Sequence, residues 1–183
     1  MQHLFLFVQP KKVAVIGAGY IAVEMAGILH GLGSECHLFF RGDTVLRRGF
    51  DPFVVEALME ALEEHGPALH PRCTPTGVTR DPLSGALTLQ LAASDGGEAS
   101  AVSGFDCVLL AVGRRPETAL LKLGAAGVTV NGKGYIQVDR YENTSAAGVY
   151  AIGDATTSGY ELTPVSKAER ALFIFVLNER VQK

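Results

Sequence analysis

At 183 residues and 48% apolar composition, the chain has length for one domain or one and a fraction and enough apolar mass for a folded core, which excludes wholesale disorder. Its formal charge of −3 comes from 16 basic and 19 acidic side chains with no Lys/Arg-rich run, so no basic field is available for a phosphate backbone and nucleic acid is excluded as the expected partner. The apolar stretch at residues 4–8 lacks a cationic lead and ends at Pro10, unlike a signal peptide; the run at residues 171–177 is far below the roughly 18 residues a membrane span requires, so no membrane association is expected and the compartment reads as cytoplasmic or organellar.

In chain order, Lys11 and Lys12 precede Val13-Ala14-Val15-Ile16, a short continuous apolar run of the kind buried on both faces of a parallel sheet. Residues 17–22 turn the chain into a segment where Ile21, Met25, Ile28, Leu29 and Leu32 recur at helical spacing until Gly31 and Gly33 stop it. Residues 36–40 read as a second strand. Asp51-Pro52 then forms an N-cap and first-turn pair opening a helix through about Glu64, with Leu58 and Leu62 facing the core. From Gly66 the pattern becomes β: Leu87, Leu89 and Leu91 alternate with polar residues, and Asp95-Gly96-Gly97 signals a turn. This predicts a meander inserted in an α/β unit, with residues 106–112 returning to the parallel sheet. Residues 128–130, 135–138 and 148–152 read as short strands, and a last helix is expected from Pro164. Pro116 and the break in βαβ rhythm put a boundary there.

Gly17-Ala18-Gly19-Tyr20-Ile21-Ala22 fits G-x-G-x-x-G/A, and the pattern gains weight from following a strand and opening a helix. Gly17 permits a tight turn, Gly19 removes a Cβ that would block a pyrophosphate, and Ala22 lets helix and strand approach. Helix-end amides then hold the anion. A structural glycine turn is the competing reading. About twenty residues on, where an NAD site places an acid, the second strand ends Leu38-Phe39-Phe40-Arg41. Glu35 is at the other end of that strand and Asp43 beyond it. Arg41, with Arg47 or Arg48, instead offers planar donors for a 2′-phosphate, the alternative being a solvated turn. A hydrogen bond to a charged group contributes about 1.5 to 3 kcal/mol, so losing Arg41 is expected to weaken NADPH roughly tenfold to a hundredfold and spare NADH.

Residues 17–29, GAGYIAVEMAGIL, together with residues 41–51, 111–116 (AVGRRP), 150–154 (YAIGD) and 162–164 (LTP), resemble the pyridine nucleotide-disulfide oxidoreductases of the glutathione reductase kind, in the right order from about residue 11 to 166. The resemblance implies an α/β fold: an irregular lead at 1–10, a Rossmann-like NADPH-binding domain with an inserted β-meander at 11–116, and an incomplete FAD-domain segment at 117–183. It also implies that Ala18, Gly19, Tyr20 and Ile21 touch the nicotinamide nucleotide beside Gly17, with Tyr20 as the ring covering the nicotinamide pocket and Glu24 as the carboxylate next to it. Arg41 and Arg47 would clamp the 2′-phosphate. Gly113 and Arg114 would form the loop against the cofactor. Asp154 would accept hydrogen bonds from the FAD ribityl chain, a task suited to an acceptor-only carboxylate, and Thr163 would lie near the flavin ring. Full-length relatives are expected to be homodimers.

Such enzymes pass hydride from NADPH to FAD, then electrons to a cysteine pair and a substrate disulfide, with a histidine as acid-base. Cys36, Cys73 and Cys107 are widely spaced and form neither a close pair nor a metal cluster, and read as reduced, mostly buried thiols. His3, His30, His37, His65 and His70 match no metal spacing and no C-terminal His-Glu motif. No catalytic residue and no metal site is therefore expected. The expected function is that of a segment of an NADPH-dependent, FAD-containing glutathione-disulfide reductase-like oxidoreductase, inactive by itself and serving redox homeostasis. The alternatives are a non-catalytic NADPH-binding module and a segment of a sibling such as mercuric or trypanothione reductase.

Overall fold

The computed structural model describes residues 8–47, 49–93 and 99–158. The chain divides into two compact units, one reaching Gly113 and the other starting at Arg114.

In the first unit, β1 (Lys12–Ile16), β2 (Glu35–Phe39), β3 (Ala68–His70) and β7 (Cys107–Leu110) form a four-stranded sheet in the order β3-β2-β1-β7. Each neighbouring pair is parallel, with Val13 opposite Cys36 and Cys107. β4 (Cys73–Arg80), β5 (Leu87–Ala93) and β6 (Ser100–Phe105) make a separate antiparallel sheet between β3 and β7, which is the inserted meander. The fold is thus α/β with a Rossmann-like parallel sheet.

Strand alternation assigns the two faces of the parallel sheet. Val13, Val15, Cys36, Leu38 and Phe40 pack with Ala22, Ala26 and Leu29 of α1 (Tyr20–Gly31) and with Leu62 of α2 (Pro52–His65). Ala14, Ile16 and Phe39 point the other way and pack with Leu89, Leu91 and Phe105 of the meander. Both faces are covered, which is why β1 reads as a continuous apolar run rather than an alternating one. The alternating Leu89 and Leu91 are buried as the period-2 pattern implied.

The helix stripe in α1 differs from the sequence reading. Leu29 is buried as its spacing implied, but Ile28 and Leu32 are exposed, and the other buried residues are Ala22 and Ala26. Two alanines stand beside Leu29 on the inner face because α1 packs against β1, and larger side chains at positions 22 and 26 would separate the layers. α2 begins as read: Asp51 caps it by accepting from the Phe53 amide at 2.8 Å, Pro52 occupies the first turn, and Leu62 is buried with Leu58 against the same core. Cys36 is buried as expected, but Cys73 and Cys107 are only partly so.

The second unit departs further from its sequence reading. The segments at 128–130, 135–138 and 148–152 form isolated bridges, Val130 to Ile136, Ile136 to Thr156 and Asn143 to Tyr150, rather than strands. Two short 3-10 turns, Ala119–Leu121 and Leu123–Ala126, precede them, around a small core of Val128 and Ile136 with Thr118 and Thr156. Glycines at 127, 132, 134 and 148 break the chain too often for ladders to propagate. The turn at 95–97 and the helix expected from Pro164 lie outside the described residues.

Candidate functional site

The chain leaves β1 toward β2 and β3, then returns through the meander to β7 on the other side of β1. The C-terminal ends of β1 and β7 therefore flank the point where strand order reverses, the usual ligand crevice of an open α/β sheet. Gly17 is the residue that follows β1. Its φ is +141°, and a Cβ there would sit 2.2 Å from the Ala111 carbonyl oxygen just past β7 and 3.3 Å from the Ala22 methyl. The Gly17 amide meanwhile donates to the Phe39 carbonyl at 3.0 Å. Only glycine fits between these three neighbours.

Gly19 has a different reason. It is the N-cap of α1 with an ordinary extended backbone (φ −83°, ψ 171°), and no atom lies within 4 Å of the position its Cβ would take. It supplies no capping side chain, and no acid stands in the first turn. The N-terminal amides of α1 thus have an open approach and no built-in anion, which suits a pyrophosphate.

The loop after β2 is tied to this turn. The Leu46 amide donates to the Ala18 carbonyl at 2.7 Å, while Val45 and Leu46 are buried in the helix-side core. Gly42 is buried, and the Arg47 side chain folds over it: a Cβ at 42 would meet the Arg47 guanidinium at 2.7–2.8 Å. Arg41 and Arg47 are both exposed, and neither makes an ion pair among the described residues. Backbone and apolar contacts fix the loop, which leaves the two guanidiniums available to an anion. Arg48 lies outside the described residues.

Tyr20 and Glu24, four apart, share an exposed face of the first turns of α1, and Ile21 is half-buried beside them. Gly113 (φ +129°) ends the first unit. In the second unit Arg114 Nη1 donates to Asp154 Oδ2 at 3.4 Å, and the turn presenting Asp154 is closed by Thr156 donating through its amide and its hydroxyl to the Gly153 carbonyl at 3.0 and 2.9 Å. Thr163 lies outside the described residues.

Two features escaped sequence reasoning. Arg72 sits at the β3–β4 turn with φ +55°, donates its amide to the Gly42 carbonyl at 3.1 Å and pairs through Nε with Asp43 at 3.6 Å. No spacing rule connects positions 42 and 72; only the β2–β3 pairing does. The second feature is a row of hydrogen-bonded side chains. Lys12 Nζ reaches Glu35 Oε1 at 2.8 Å, His37 Nε2 meets the same oxygen at 3.0 Å, and His37 Nδ1 shares a 2.8 Å bond with His70 Nε2. His70 stacks on Phe39 at 4.3 Å, and His37 meets Phe105 edge-on at 5.4 Å. Burial, reinforced by the charges of His37 and Lys12, pushes the His70 imidazole below its ordinary value. The hydrogen bond from Lys12, then that from His37, holds Glu35 below the usual carboxylate range.

Burial raises the Cys36 thiol to about 11 and pushes Cys73 and Cys107 up as well, which keeps all three poor nucleophiles. No group of three His, Cys, Asp or Glu side chains able to hold a metal occurs among the described residues. Among them, too, no helix is long and apolar enough to cross a membrane.

A sequence profile of the family described as pyridine nucleotide-disulphide oxidoreductase matches residues 1–169. The chain is 40% identical over 161 residues to the chloroplastic/mitochondrial glutathione reductase of Pisum sativum, covering 88% of this chain and 28% of that protein. It is 39% identical over 161 residues to the glutathione reductase of Yarrowia lipolytica (strain CLIB 122 / E 150), covering 87% of this chain and 33% of that protein. The chain therefore spans a third or less of the length of these curated relatives.

Proposed function

The chain belongs to the pyridine nucleotide-disulphide oxidoreductase family and is glutathione reductase-like, and on that premise we propose that its first unit binds NADPH for hydride delivery to a flavin in a glutathione-disulfide reductase-like reaction. The observation that carries this reading is the joining of two anion-receptive features by one short hydrogen bond. Leu46 N to Ala18 O, at 2.7 Å, holds the arginine loop against the glycine turn. The open N-terminus of α1 would take the pyrophosphate, and Arg41 with Arg47 would take the 2′-phosphate.

NADPH bound there would supply a hydride, with FAD its acceptor. The work of this chain is binding and orientation: Gly17 sets the turn, Gly19 leaves the approach open, and Ala18 fixes the loop that carries the arginines. Tyr20 and Glu24 stand on the exposed face of α1 as the nicotinamide-side residues, and Gly113, past the end of β7, as the loop beside the cofactor. Toward FAD, Asp154 is the single candidate among the described residues, and its carboxylate already accepts from Arg114 at 3.4 Å. The cysteines, widely spaced and with raised thiol pKa values, leave the disulfide step to residues other than these 183. The proposed compartment is the cytoplasm or an organelle.

Fluorescence titration of the purified chain with NADPH and NADH tests this, with visible absorbance and glutathione-disulfide turnover followed in parallel. NADPH preference of tenfold or more is expected from charge-assisted bonds of about 1.5 to 3 kcal/mol, with little flavin retained and no turnover. Equal affinity for both cofactors, or none in a folded sample, would sink the reading.

A further inference from the structure

Resting on the NADPH reading, we propose that Arg72, supplied by the turn between β3 and β4, is a third arm of the 2′-phosphate pocket and a determinant of cofactor specificity, with Asp43 as its counter-ion while the pocket is empty. The placement follows from backbone bonding. Phe40 N donates to His70 O at 3.0 Å, Arg72 N to Gly42 O at 3.1 Å and Cys73 N to Phe40 O at 3.2 Å, so the β2–β3 pairing continues past both strand ends and pins Arg72 beside Gly42. Three arginines from separate points of the chain then bracket one buried glycine. Arg41 is its neighbour in sequence, Arg47 is folded onto it and Arg72 is bonded to it.

The charges match the guest. Three guanidiniums and one carboxylate leave two positive charges, against a phosphate monoester of about −1.5 to −2 at neutral pH. The Arg72 and Asp43 side chains are 65% and 82% exposed, and their 3.6 Å contact is long for a charge-assisted bond. Such a pair is weakly held and easily exchanged for a phosphate oxygen. Arg72 also occupies the left-handed region, where glycine or asparagine would be less strained, so a residue is kept there whose backbone cost needs an offsetting role.

The test uses the 183-residue chain titrated with NADPH, NADH and 2′,5′-ADP, as the parent and as the Arg72→Asn and Asp43→Asn variants. Asparagine tolerates the left-handed backbone, so the first variant removes the charge and keeps the turn. Expected is a roughly three- to tenfold loss for NADPH and 2′,5′-ADP with Arg72→Asn, unchanged NADH, and a roughly two- to threefold gain for 2′,5′-ADP with Asp43→Asn, both shrinking as salt rises. A parent that prefers NADPH while Arg72→Asn binds all three ligands as the parent does overturns this inference alone. So does an equal loss of NADPH and NADH, which would mark a distorted loop, or an Asp43→Asn chain that loses 2′,5′-ADP. A parent without NADPH preference overturns the NADPH reading and this one with it.

Discussion

The two glycines of the turn obey different physical demands, and substituting each by alanine should separate folding from binding. At Gly17 the new methyl would sit 2.2 Å from the carbonyl oxygen of Ala111, whose amide is tied to the Ile16 carbonyl just past β7, at a φ of +141° that L-residues rarely adopt. Strained backbone of this kind costs on the order of 1–3 kcal/mol, and forced overpacking about another 1–3. Together these consume a large share of a domain stability of about 5–15 kcal/mol. At Gly19 the methyl meets nothing within 4 Å and φ is −83°, so the fold should lose well under about 1 kcal/mol, mostly through poorer capping. The same methyl would stand over the helix-end amides. Affinity for NADPH and NADH should then fall together, by at least about tenfold, since one charge-assisted hydrogen bond contributes about 1.5 to 3 kcal/mol. Thermal melts followed by titration with both nucleotides give the answer. A Gly17→Ala chain melting like the parent, or a melted Gly19→Ala chain, would refute the steric assignment; a folded Gly19→Ala chain with parental affinity would refute the placement of the pyrophosphate.

Arg41→Gln should weaken NADPH by roughly tenfold to a hundredfold and leave both NADH affinity and melting temperature near parental values, because Arg41 is exposed and the loop is fixed by other residues; parallel titrations and a melt check this. Asp51→Ala removes the acceptor of the Phe53 amide and should cost about 0.5–2 kcal/mol in a denaturant titration, with nucleotide affinity unchanged if the cap is purely structural. A pH series should separate two acid transitions. His70 has a lowered folded-state value, so below its ordinary 6.5 the unfolded chain binds more protons and stability falls with pH, by no more than about 1.4 kcal/mol per pH unit for one proton. Glu35, Asp81 and Asp139 are held low instead, so the stability they contribute is lost only as pH falls through their folded-state values, below 4.5 for the glutamate and 3.8 for the aspartates. His70→Asn should abolish the upper transition of melting temperature and keep the lower one.

The sequence revealed most where a single local rule governed the residue. Strand β1, the glycine turn, the Asp51 cap and the alternation of Leu89 and Leu91 each depend on neighbours within a few positions, and the structure keeps them. Helix α1 shows how such rules fail. Ile21, Met25, Ile28, Leu29 and Leu32 follow helical spacing, yet of these only Leu29 is buried and Ala22 and Ala26 complete the packed stripe, because layer separation as well as hydrophobicity decides what fits against β1. In the second unit, apolar segments that resemble strands find partners at isolated positions only, since strand pairing is a property of two segments and glycine turns interrupt both. The His37–His70 pair and the approach of Arg72 to Gly42 are likewise products of β2–β3 register, with His37 opposite Ala68 and Phe39 opposite His70. Pattern reading along one chain has no access to that register.

On the proposed reading, folding and cofactor choice draw on different atoms of the loop after β2. Its course is set by burial of Val45 and Leu46, by Leu46 N on Ala18 O and by Arg72 N on Gly42 O, none of which involves a guanidinium. Burying side chains of this size stabilises by about 1.5–3 kcal/mol each, more than an exposed arginine contributes through surface ion pairs. The arginines therefore occupy positions the fold leaves unspent, and their charge can be changed without moving the glycine turn. On the proposed NADPH reading, an acid at position 41 would convert a phosphate clamp into an acceptor for ribose hydroxyls on the same backbone, so nucleotide preference would reside in a few exposed side chains while the Gly17–Gly19 turn keeps the capacity to bind a dinucleotide.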